Sequence, residues 1–323
     1  MRIAIAAVAA VLAVAGAAGP ARAASAETAP PNAPNQTPAF PGQTRAPLPA
    51  QATAFATTMV AEGIQGGWAF AFLPDARVIV TEKAGRLRIV GQDGRPGAPV
   101  AGVPSVDARG QGGLLDVALS PDFARDRLVY LSFSEPRQGG GNGTSVARGT
   151  LAEEGGQARL DNVQVIFRQT PAWQNTMHFG SRLAFAPDGK LFVTVGERSE
   201  REPRVQAQNL ASGLGKVFRI NPDGSTPADN PFVGRADVQG AIWSYGHRNV
   251  QSATLDSSGR LWTVEHGPRG GDELNRPEPG KNYGWPEVTY GLEYNGQPVG
   301  RGMTQRPGTE QPVYYWDPVI APS

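Results

Sequence analysis

A histidine and a glutamate nineteen residues apart, His178 and Glu197, are the pair of side chains in this sequence whose types and spacing best suit proton chemistry. Between them run two stretches rich in apolar and β-branched residues, 183–186 and 191–195, separated by Pro187-Asp188-Gly189. Proline, aspartate and glycine in that order are turn chemistry, so the segment reads as a β-hairpin. His178 lies ten positions before Asp188 and Glu197 nine after it, which brings both to the open end of that hairpin. A carboxylate beside an imidazole fixes its tautomer and raises its basicity, as a general base requires. The same pair could be a structural hydrogen bond, and recurrence of the pattern is what separates the two readings.

The elements that would position such a pair do recur. Residues 70–82, 117–133 and 253–265 repeat the unit of apolar strand, turn and apolar strand seen at 183–197, with turns at 74, 121, 187 and 257. Turns 47 to 70 residues apart leave room for a four-stranded sheet per repeat, the spacing of a propeller blade. A β-sandwich would show turns at shorter and more even intervals. Blades pack radially, so corresponding positions face the same end of the central channel. Nine or ten residues before three of the turns stand Gln111, His178 and Arg248, all able to hydrogen-bond. The repeat therefore predicts that three blades aim polar groups at one site.

Composition agrees with an all-β chain. Glycine (41) and proline (29) are abundant in 323 residues, and no window has the pattern of a long amphipathic helix. A formal net charge of +1 gives no sign of a nucleic-acid or membrane-surface partner. Met1-Arg2, the apolar stretch 3–18 and Ala21-Arg22-Ala23 form an export signal over 1–23, with no further segment apolar enough to span a membrane. The expectation is therefore a periplasmic or secreted protein. Residues 24–54, rich in Ala, Pro, Thr, Asn and Gln, read as a disordered linker, and 55–323 as the folded domain. With no cysteine, stability must come from packing or bound ions.

Around the fourth turn the residues become more specific. Adjacent Arg248 and Asn249 join a fixed fork of donors to an amide, a pair suited to a planar, oxygen-rich anion. Gly267-Pro268 exposes main-chain carbonyls in a constrained turn, and carbonyl oxygens are good ligands for a hard cation such as calcium. Together with Gln111-Gly-Gly-Leu-Leu115, the stretch 178–197, Gly246-His-Arg-Asn-x-Gln251, Glu265-His-Gly-Pro268, Asp272-Glu273 and Asn282-Tyr-Gly-Trp-Pro286, these residues resemble the soluble PQQ-dependent sugar dehydrogenases of the glucose/sorbosone dehydrogenase family. The motifs occur in family order from about 55 to 290.

The resemblance implies a six-bladed β-propeller with pyrroloquinoline quinone (PQQ) over the channel mouth, held with calcium. It implies oxidation of aldose sugars at the anomeric carbon to lactones, with electrons passed on to an unidentified acceptor. His178 would be the base that takes the anomeric hydroxyl proton as hydride passes to the quinone, Glu197 its acidic partner, and Arg248 the stabiliser of charge on the quinone oxygen. Gln111, Asn249 and Gln251 would support the cofactor, Gly267 and Pro268 would offer calcium their main-chain oxygens, and Glu273 and Tyr283 match a second calcium position.

Three features depart from the family pattern. Met177 stands where some relatives carry an acidic residue, so sugar preference does not carry over. Arg198 follows Glu197 and is expected to compete for it. The chain stops at Ser323 in a segment that reads as the approach to another strand, so an incomplete propeller lacking its last blade is expected. His247 and His266 read as structural neighbours of their motifs, and Arg182 as an ion-pair residue. Two rival readings stay open: a cofactor-free binding propeller, and a metal-dependent lactonase propeller built on carboxylates around a central ion.

Overall fold

The apolar, β-branched runs fold as the first two strands of four antiparallel meanders in a computed structural model that describes residues 28–46, 51 and 53–323. The first sheet holds β1 (Gly67–Phe72), β2 (Val78–Glu82) and β3 (Arg86–Val90). The second holds β4 (Leu114–Leu119), β5 (Leu128–Pro136), β6 (Asn142–Glu154) and β7 (Gln157–Arg168). The third holds β8 (Leu183–Phe185), β9 (Leu191–Val195), β10 (Lys216–Ile220) and β11 (Ile242–Tyr245). The fourth holds β12 (Val250–Leu255), β13 (Leu261–Glu265), β14 (Asp272–Asn275) and β15 (Tyr314–Trp316). Among the described residues helices are confined to short turns, α1 (Phe123–Asp126), α2 (Arg201–Arg204) and a 3-10 turn at Val205–Gln208.

The first strands β1, β4, β8 and β12 neighbour one another in turn, so the sheets stand side by side like blades. Apolar clusters fill the spaces between them. Leu73, Ile79 and Leu87 meet Leu114, Val129 and Leu131 between the first and second sheets. Tyr130 and Val146 meet Leu191, Val193 and Phe218 between the second and third. Ala184, Phe192 and Val217 meet Leu261 between the third and fourth. A fully buried side chain of this kind is worth about 1.5 to 3 kcal/mol, so each sheet is held chiefly by the next. Strands β9 and β10 are buried at every position, because both their faces lie against neighbouring sheets. The fold is an all-β propeller, with four blades among the described residues.

The expected export signal at 1–23 lies outside the described residues, and among those described no helix is long and apolar enough to cross a membrane. The stretch expected as a linker is a correction over 28–46, where the chain docks on the fourth sheet. Tyr315 donates its N–H to Gln43 O at 2.9 Å, and Asn32 and Ala33 donate theirs to the Asp317 carboxylate at 2.6 and 3.1 Å. Gln43 is fully buried, its amide giving hydrogen bonds to Gln311 and Pro312 O and receiving one from Tyr290. This docking is polar, which is why a low apolar content failed to reveal it. Among the described residues the first strand begins at Gly67, and Phe55, where the folded domain was expected to start, is exposed.

Candidate active site

His178 sits in the loop entering β8 and Glu197 just past β9, the two ends of the hairpin read from the sequence. Gly196 allows them to meet, since a Cβ there would lie 2.2 Å from His178 O. The His178 Nδ1–H donates to Glu197 Oε2 at 2.7 Å. A carboxylate can only accept, so this bond places the proton on Nδ1 and leaves a lone pair on Nε2, which has no protein partner among the described residues. Gln111, in the loop before β4, accepts the His178 main-chain N–H at 2.8 Å through its Oε1. Three loops are thus locked together around one imidazole.

Glu197 is fully buried. Burial pushes its carboxyl up, but the neighbouring His178 ring and its Nδ1–H, the Arg248 charge and the Ser199 N–H outweigh this and hold it below its ordinary value. The main chain joins it to the next blade, Glu197 N–H donating to Arg248 O at 2.9 Å. The expected competition from Arg198 does not occur. With its backbone in the left-handed region (φ 73°), Arg198 turns away, donates to Asn142 Oδ1 and Asn175 Oδ1 at 2.7 and 2.8 Å, and stacks 3.8 Å over the Phe179 ring. Burial pushes its guanidinium down to about 10, against the pull of Glu197 and Asp107.

Arg248 lies in the loop from β11 to β12, on the same rim as His178. Its Nη1 donates to His266 O at 2.9 Å, Nη2 to Tyr294 Oη at 3.3 Å, and its head stands 5.3 Å over Trp285. Its buried Nε has no partner among the described residues, a donor left over for a ligand. Asn249 Oδ1 accepts from Gly180 N–H and from Gln251 Nε2, both at 3.1 Å. Gln111, Asn249 and Gln251 line a cavity of about 350 Å³ with Trp68, Phe179 and Lys83, within the usual size of a small-molecule site. His266 also lines it; burial, followed by the charges of Arg248 and His178, pushes its imidazole below the ordinary value against the pull of Asp272.

A second His–Glu pair, missed in the sequence, repeats the first one blade on. Fully buried His247 donates from Nδ1 to Glu265 Oε1 at 2.9 Å and accepts from Ser244 Oγ at Nε2 at 2.8 Å. Glu265 Oε2 takes the Arg248 main-chain N–H at 2.6 Å, so this pair fixes the arginine's backbone. The signal that could have found it is the spacing: eighteen residues against nineteen.

The residues assigned to two calcium positions are not separated. Gly267, Glu273 and Tyr283 share one cavity of about 10 Å³ with Glu265, room for about one water or small ion. Pro268 does not line it and packs against Gly291. The Gly267, Pro268 and Tyr283 carbonyls receive no hydrogen bond among the described residues, while the Tyr283 hydroxyl donates to Arg276 O at 2.6 Å. Burial, then the charges of Glu265 and Asp272, push the Glu273 carboxyl well above its ordinary value, and Asn275 Oδ1 beside it is buried without a partner among the described residues. Two glutamates and free main-chain oxygens make this pocket, which Arg248 and His266 also line, one that suits a hard cation. No group of three or more His, Asp or Glu side chains among the described residues is arranged to hold a metal ion, so main-chain and amide oxygens would have to complete its shell.

Comparison with known proteins bears on the family and the fold. The sequence profile of the family described as Glucose / Sorbosone dehydrogenase matches residues 64–323. Aldose sugar dehydrogenase YliI of Escherichia coli (strain K12) is 45% identical over 253 residues, which is 77% of this chain and 67% of that protein. The apo-form crystal structure of the soluble aldose sugar dehydrogenase from Escherichia coli superposes with a TM-score of 0.78 at 42% identity, covering 82% of this chain and 76% of the other. The PQQ-bound form of aldose sugar dehydrogenase from Streptomyces coelicolor gives 0.68 at 34% identity, covering 83% and 73%.

Proposed function

This chain belongs to the glucose/sorbosone dehydrogenase family, a family of oxidoreductases, and from that premise we propose that it oxidises aldose sugars at the anomeric carbon to lactones with PQQ and calcium. The observation that carries the reading is the His178–Glu197 pair, with Nε2 open, on the same rim as Arg248 and beside an amide-lined cavity. Bound PQQ would supply the hydride acceptor, a chemistry no side chain has. His178 Nε2 would take the anomeric hydroxyl proton, and Glu197 would hold the ring in place and balance the imidazolium that forms. Arg248, its buried Nε without a partner among the described residues and its head over Trp285, would stabilise negative charge. Gln111, Asn249 and Gln251 would bind the cofactor from the cavity wall. Gly267, Glu273 and Tyr283, the last through its main-chain oxygen, would hold calcium in the small pocket, with Pro268 outside it. The four described sheets would be blades of a six-bladed propeller, since each relative above is longer than its matched part. Export to the periplasm or beyond rests on the signal-like sequence of 1–23.

The test is dye reduction by purified protein supplied with PQQ, calcium and a panel of neutral aldoses. Activity that needs both additions supports the proposal. Lactone hydrolysis without PQQ, or binding of sugar with no turnover under any addition, would overturn it.

A further inference from the structure

Lys83, the residue that follows β2, is the one lysine or arginine lining the larger cavity among the described residues, and no carboxylate lines it. Its position is fixed from several sides. Lys83 N–H donates to Gly66 O at 2.8 Å and its carbonyl accepts from Leu114 N–H at 3.1 Å. Its stem runs along Gly113, where a Cβ would lie 2.8 Å from Lys83 Cγ and 2.1 Å from Lys83 O. Its Nζ donates once, to Ala108 O at 2.7 Å, leaving two ammonium protons uncommitted among the described residues. Nearby acids are engaged elsewhere: Glu82 by Arg86, Asp107 by Arg109 and Asn142, and Asp116 by Arg182. A positioned ammonium without a counter-charge, beside Gln111, Asn249 and Gln251, is the complement of an anionic ligand group.

We propose that Lys83 is an anion-binding residue of this site, placed to take a carboxylate of the bound ligand. The inference rests on the function proposed above and deepens it. Two molecules could bring that carboxylate: the quinone cofactor, which carries several, or a sugar acid such as a uronic acid entering as substrate. The anion would replace water on the two free protons, a charge-assisted contact whose loss weakens binding by about ten- to a hundredfold.

The experiment uses the whole chain, as wild type, Lys83→Gln and Lys83→Arg, with melting curves to confirm folding; Lys83→Met, which keeps the apolar stem, replaces the glutamine variant should that melt early. In one arm PQQ is titrated into apoprotein with calcium, followed by tryptophan quenching. In the other, kcat/KM is compared for glucose and glucuronate. A ten- to hundredfold loss of PQQ affinity in Lys83→Gln, restored in Lys83→Arg, assigns the contact to the cofactor. Unchanged PQQ affinity with a tenfold or greater loss confined to glucuronate assigns it to the substrate. Lys83→Gln matching wild type in both arms, or Lys83→Arg as impaired as Lys83→Gln, overturns the inference. Wild-type protein that fails to bind PQQ overturns instead the function on which it rests.

Discussion

Replacing Glu197 with glutamine is the sharpest perturbation of the proposed chemistry. The side chain is fully buried and its Oε2 lies 2.7 Å from His178 Nδ1, so water cannot take its place. A glutamine is neutral: with its oxygen kept on the His178 and Ser199 N–H groups it cannot balance the imidazolium that forms, and turned over, against the Ser199 N–H, it would drive the ring proton to Nε2. Either way the base meant for the sugar hydroxyl is weakened or lost. General-base contributions are typically worth about 10² to 10⁴ in rate, or about 3 to 5 kcal/mol of barrier, and kcat should fall by that much. PQQ affinity should stay within about threefold, since Glu197 does not line the cavity. The folded state should lose about 1 to 3 kcal/mol, the usual penalty for a disturbed buried hydrogen bond, so the variant still folds. The assay is steady-state dye reduction with saturating PQQ, calcium and a neutral aldose, alongside cofactor titration. A kcat within threefold of wild type at full cofactor occupancy would refute the reasoning. So would a loss of activity that tracks loss of cofactor.

Three further outcomes are expected. Arg248→Lys should lower kcat/KM by about 10²-fold with little change in melting temperature, because a point charge cannot reproduce the fork that meets His266 O and Tyr294 and leaves Nε free. Acid should destabilise wild type more than Glu197→Gln: the folded carboxyl is held below the ordinary 4.5, so its stabilisation is complete above that pH and lost as pH falls through the folded value. Melting temperatures between pH 7 and 3 should therefore converge, and parallel curves would contradict the assignment. Gln43→Ala should cost about 2 to 4 kcal/mol by leaving the buried partners Tyr290, Gln311 and Pro312 O short of hydrogen bonds, and should raise proteolysis within 28–46; an unchanged denaturation midpoint would show that the docking adds nothing.

Much of the architecture was legible because it is local. Turn residues at 74, 121, 187 and 257 and the β-branched runs beside them determine hairpins whatever surrounds them, and near-equal spacing about Asp188, ten residues before and nine after, is enough to bring His178 to Glu197. The ordered motifs likewise indicated the family to which residues 64–323 are matched. The tertiary structure decided what depends on which hairpin stands beside which. Arg198 was expected to compete for its sequence neighbour, but Asn142 and Asn175 and the ring of Phe179 draw it the other way. Gly267, Glu273 and Tyr283, expected at two separate calcium positions, line one pocket because β13 and β14 pair Glu265 with Glu273 and Tyr283 lies against them. Residues 28–46 find partners at 311–317, nearly the whole chain away, through amides and carbonyls that carry no hydrophobic signature. Turn chemistry and strand alternation act over a few residues and can be read in order along the chain; the partner of a buried charge or amide is set by radial packing, which brings together residues with no fixed separation in sequence.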